Sequence, residues 1–162
     1  MPFLKFLDEH IEEYIVVVCL GAMSILIFTQ VFLRYVVESS SSWSEELSRY
    51  LLIWMVNIGI SYAVKKKTHV RITALDTVLS PSLKKALDIL SNLLVLGFAG
   101  TIAFLGYQVV AFNQKMGQMS QAMEFLPMWV VYLAVPIGFG LTCIRVIQNL
   151  LTPEKPEDTL VL

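Results

Sequence analysis

The sequence predicts an all-α integral membrane protein with four transmembrane helices and an interfacial amphipathic helix between helices 2 and 3. Three observations predict it. The 162 residues are 56% hydrophobic and only 15% charged, with a mean hydropathy of +0.68. A soluble domain is about a quarter charged. The apolar residues also gather in four windows, 14–37, 47–64, 89–112 and 127–151, whose only charges are Arg34, Arg49 and Arg145. Each window is long enough to cross a hydrocarbon core of about 30 Å, and each of the three arginines is placed where a long side chain can snorkel to the interface.

The first span, 14–37, follows the acidic flank DEHIEE. Its apolar core is too long for a cleavable signal, and no small-residue cleavage site follows it. The second span, 47–64, opens from SSSSWSEELSRYLLIW, residues 39–54. Ser42 and Glu45 have capping-box spacing. Glu45 and Glu46 fall in the first turn, where the helix dipole favours negative charge. Glu45 and Arg49 form an i,i+4 pair with the acid on the N-terminal side. Trp43 and Tyr50 are aromatic rings of the kind that anchor a helix end at the interface.

In THVRITALDTVLSPSLKKAL, Ile72, Leu75 and Leu79 recur at helical spacing among charged neighbours, which predicts a short helix lying in the interface. Ser80 and Pro81 end it and start the next helix, with Ser80 as N-cap and proline at the first helical position. That helix continues as the third span, 86–113. The fourth span, 127–151, begins at Pro127, and Pro136 with Gly138 and Gly140 predicts a kink in mid-membrane. Residues 1–152 thus form one transmembrane domain, and the polar tail 153–162 is predicted to be disordered.

Lysine and arginine counts set the orientation. Lys65, Lys66, Lys67, Arg71, Lys84 and Lys85 cluster between spans two and three, whereas Lys115 stands alone between spans three and four. The basic side is expected in the cytoplasm, with both termini there, in a bacterial inner membrane. Cys19 and Cys143 fall at similar depth; single buried thiols are expected, with a disulfide open on depth alone. A net charge of −1 gives no sign of nucleic-acid binding.

The polar residues bound the function. A carrier of ions or protons needs titratable or coordinating groups near the bilayer midplane. No Asp or Glu falls in the middle of a window, and His10 and His69 lie outside. Gln30, Asn57, Thr101 and Gln108 are expected to hydrogen-bond between helices. Gly59 with Ala63, and Ala99 with Ala103 and Gly106, give small-residue faces for close packing, within the chain or against another. There is no metal-ligand spacing, no nucleophile with a base and no phosphate loop. No catalysis, cofactor or metal is expected, and an accessory subunit fits best.

The run W-S-E-E-L-S-R-Y-L-L-I-W-M-V-N-I-G (43–59), with His69 beyond it, resembles the small membrane subunit of tripartite ATP-independent periplasmic (TRAP) transporters. Arg34-Tyr35-Val36 closes the first span as in that family, and Ser120-x-Ala122 followed by Pro127, Tyr132, Pro136 and Gly138 resembles its fourth-span pattern. The resemblance runs from about residue 14 to about residue 145. It implies a large multi-span subunit that carries organic acid with sodium, and a periplasmic binding protein that delivers cargo such as sialic acid or C4-dicarboxylates. The small subunit would enlarge the scaffold of the large one and help dock the binding protein. Trp43, Glu45, Glu46, Arg49, Trp54, Gly59 and Ala63 are then the expected subunit-interface residues. Arg34, Tyr35, His69 and Arg145 are the expected lipid and interface contacts. Two other classes stay open: a stand-alone four-helix multidrug exporter, which needs a membrane-embedded carboxylate, and a membrane adaptor without a transport partner.

Overall fold

The computed structural model describes residues 2–38, 42–65 and 81–151, with side chains from His10 onward in the first segment and without those of 81, 82, 84 and 85 in the third. These residues form helices α1 (Pro2–Val36), α2 (Ser42–Lys65), α3 (Pro81–Met116), α4 (Met128–Tyr132) and α5 (Ala134–Leu151). Four stretches are long and apolar enough to cross a membrane: His10–Val36, Ser42–Lys65, Ala86–Met116 and Met128–Leu151, the last running through α4 and α5. The four-span helical architecture is the one composition predicts. The interfacial helix, the Ser80 cap, His69 and the tail 153–162 lie outside the described residues. So does the residue before Ser42, which is itself the first helical residue of α2.

Local chemistry explains the ends and the interruption. α3 stops at Gly117, whose φ of +62° is the left-handed conformation glycine adopts without penalty. The fourth span is broken at Leu133, between α4 and α5. The sequence places its kink around Pro136; the break falls three residues earlier because proline has no N–H to offer the carbonyl one turn back, at Tyr132. Leu133 N–H still donates to the Trp129 carbonyl and Ile137 N–H to the Leu133 carbonyl, so the span continues through the defect.

Two of the polar side chains expected to link helices bond within their own. Asn57 Nδ2 donates to the Ile53 carbonyl and Thr101 Oγ1 to the Gly97 carbonyl, each at 2.8 Å. Thr29, Asn113 and Thr142 do the same four residues back. Surrounded by hydrocarbon, a hydroxyl or amide finds its nearest acceptor in the preceding turn. That satisfies one donor of each group locally.

Packing puts the helices in a row. α1 packs along α2, α2 along α5, and α5 along α3, with α4 against α3. The inner members, α2 and the fourth span, hold most of the buried positions, among them Ile58, Ser61, Val64, Val131, Ala134, Thr142 and Val146. The outer members α1 and α3 expose most of their apolar side chains. The small-residue face of α3 is used inside the chain. Ala99 is buried, and a Cβ on Gly106 would stand 3.0 Å from Val135 Cγ1 and 3.2 Å from Pro136 Cδ. Glycine there lets α3 approach the proline-bearing turn of α5.

Candidate functional site

Two polar clusters sit at opposite ends of α2. The first pins the 117–127 loop to the start of α2. Glu46, in the first turns of α2, accepts the Ala122 backbone N–H on Oε2 at 2.8 Å and the Tyr50 hydroxyl on Oε1. Met128 Sδ lies 3.2 Å from the same hydroxyl. The loop is closed upon itself as well: Ser120 N–H donates to the Leu126 carbonyl, Met128 N–H to the Gln118 carbonyl, and Met123 N–H to Ser120 Oγ. Beneath it Tyr50, Met123 and Val131 form a small core with Leu47, Ile53, Leu126 and Met128. The family resemblance implies Glu46 as a subunit-interface residue. Within the chain both its oxygens accept hydrogen bonds, because the loop two spans away folds back over the start of α2.

The second cluster lies at the other end and joins three helices. Glu12 of α1 is 1% exposed and Arg145 of α5 is 5% exposed. Arg145 Nε and Ser61 Oγ, from α2, both donate to Glu12 Oε1 at 2.9 Å. Lys65 Nζ, in the last turn of α2, stands 3.8 Å from Oε2, which accepts no hydrogen bond from the described residues. Arg145 Nη1 also donates to Gln148 Oε1, and Asn149 Nδ2 caps the Val64 carbonyl at 2.9 Å. One sequence expectation is corrected here. Arg145 does not reach out to lipid phosphates, since a buried carboxylate offers its guanidinium a shorter and more favourable partner. Glu12 itself is a buried carboxylate at the start of the membrane-length stretch His10–Val36, not in its middle. Nothing in the sequence of the acidic flank DEHIEE distinguishes Glu12 from the other acids there; what does is a contact with Arg145, far along the chain.

The remaining predicted site residues are not brought together. Glu45 and Arg49 do form their i,i+4 pair at 3.3 Å, with both side chains 63% exposed. Trp43 is exposed, while Trp54, Gly59 and Ala63 are half-buried along α2, and a Cβ on Gly59 would meet nothing within 4 Å. Arg34 and Tyr35 are exposed at the end of α1. Cys19 and Cys143 are free thiols. An apolar groove of about 230 Å³ between α3 and the fourth span is lined by Ile102, Leu105, Gly106, Val109, Tyr132 and Val135. Among the described residues no three His, Cys, Asp or Glu side chains converge as metal ligands would.

A row of four spans, with its deepest charges tied to one another and its outer helices uncovered, defines a multi-pass helical membrane protein built around helix packing. Residues 23–155 match the DctQ component of tripartite ATP-independent periplasmic transporters, and the chain belongs to that family, the small permease subunits. Among relatives, it is 32% identical over 108 residues to the sialic acid TRAP transporter small permease protein SiaQ of Vibrio cholerae, covering 67% of this chain and 62% of that protein. It is 30% identical over 141 residues to a putative TRAP transporter small permease protein of Haemophilus influenzae, covering 86% and 85%. It is 25% identical over 153 residues to the isethionate TRAP transporter permease protein DctMQ of Oleidesulfovibrio alaskensis, covering 91% of this chain but 24% of that protein. The chain spans about half the length, 46%, of the C4-dicarboxylate small permease DctQ of Rhodobacter capsulatus.

Proposed function

We propose that this chain is the non-catalytic small membrane subunit of a sodium-coupled, binding-protein-dependent uptake transporter for organic acids. It packs beside a large multi-span transport subunit and enlarges its scaffold, with both termini on the cytoplasmic side of a bacterial inner membrane. The cargo belongs to the class named in its relatives, carboxylates such as sialic acid or C4-dicarboxylates. The observation that carries this reading is the isethionate permease, in which the counterpart of nearly this whole chain occupies about a quarter of a much longer protein. A sequence that recurs attached to further permease chain is one that works against it. The uncovered outer helices and the open space over Gly59 leave room for such a neighbour. The lysines and arginines concentrated between spans two and three support the orientation.

The exporter reading gains a buried carboxylate in Glu12. That carboxylate is held by Arg145, with Lys65 near its second oxygen, so it ties helices of this chain to one another. The test is uptake of labelled sialic acid and C4-dicarboxylates in cells with and without this chain, in the presence and absence of sodium. Sodium-dependent uptake that is lost on deletion and restored by the chain fits the reading. Uptake unchanged by deletion for every acid would overturn it.

A further inference from the structure

We propose that α1 is docked on the rest of the molecule by charge: Glu12, held by Arg145 of α5 and by Ser61 and Lys65 of α2, fixes where α1 sits. Among the described residues of α1, Glu12 is the one buried side chain; all others are half-buried or exposed. A helix of a soluble protein docks by burying an apolar stripe. In a bilayer that force is missing, because lipid tails are as apolar as leucine. What lipid cannot provide is a partner for a carboxylate. The partners come from both other helices at once, with Arg145 Nε and Ser61 Oγ each 2.9 Å from the same oxygen. One residue along a helix is about 1.5 Å of height and about 100° of rotation. Bonds of 2.9 Å to two separate helices therefore specify the height and the facing of α1 together.

The match to the DctQ component begins at residue 23, so Glu12 lies outside it while Ser61, Lys65 and Arg145 lie within.

The test uses the full chain and its two native cysteines, Cys19 on α1 and Cys143 on α5, both free. Spin labels on the two report the α1–α5 distance by dipolar coupling in nanodiscs. The unsubstituted chain gives one narrow distribution. Glu12→Gln and Arg145→Gln each are predicted to broaden it at least twofold, as α1 samples other positions. A single variant that strands a charge could fail to accumulate, so Glu12→Leu/Arg145→Leu, which strands neither, is the second variant. The same broadening is predicted there. A double-leucine chain with the narrow distribution of the unsubstituted protein would show that shape, not charge, docks α1, and would overturn the proposal.

Discussion

Gly138 of α5 lies so close to Asn57 of α2 that a Cβ added to it would stand 2.5 Å from the Asn57 carbonyl oxygen and 2.7 Å from both its carbonyl carbon and its Cβ. Two of those atoms are backbone, so no side-chain rotation relieves the clash. Glycine here is a packing requirement that brings the two inner helices together.

Gly138→Ala should therefore force α2 and α5 apart and destabilise the chain by about 1–3 kcal/mol, the usual range for overpacking. Gly140→Ala is the control, since its added Cβ meets nothing within 4 Å. Alanine is the better helix former by about 1 kcal/mol, so the control should be neutral or slightly stabilising. Thermal melts in detergent compare the two.

Gly59 is the opposite case on the neighbouring helix: half-buried, with open space where a side chain would go. If that space is where the large subunit packs, Gly59→Leu should leave the melting temperature of the isolated chain unchanged. Recovery of the assembled complex should fall about tenfold, equivalent to about 1.4 kcal/mol. Unchanged recovery would remove Gly59 from the interface.

Arg49, like Glu45, is a charged side chain of the α2 entrance that is exposed to a partner. Its pair with Glu45 is largely exposed, and exposed pairs contribute at most about 1 kcal/mol. Arg49→Ala should hardly move the stability of the chain. A loss of complex or of uptake in that variant would identify an intersubunit contact, and normal assembly with normal uptake would dismiss it.

Glu46 should control the order of the 117–127 loop. Glu46→Ala removes the acceptor of the Ala122 N–H. Hydrogen exchange at Ala122 should rise roughly 10–100-fold. Glu46→Gln retains a neutral acceptor and should raise it less. Exchange within α3 should be unaffected in both.

Much of this was legible in the sequence, because span length and charge-free composition are properties of consecutive residues. The four membrane-length stretches and the Glu45–Arg49 pair follow from such local patterns, as does the small-residue face around Ala99 and Gly106. Contacts between distant segments were not. Glu12 meets Arg145 across 133 positions, Glu46 meets Ala122 across 76, and neither pair has a spacing rule. Gly138 reads as part of a kink beside Pro136, although its use is close approach to Asn57. The polar groups of Asn57 and Thr101 read as links between helices, yet hydrocarbon favours the acceptor in their own preceding turn.

The central claim is that this chain works in contact with a larger membrane subunit. Affinity purification of the tagged chain from its native membrane in mild detergent, followed by native mass spectrometry, tests it most directly. The predicted result is a discrete complex whose mass includes a much larger and very hydrophobic multi-span protein in fixed ratio to this chain. Recovery of the chain alone, or only with copies of itself, would contradict the claim.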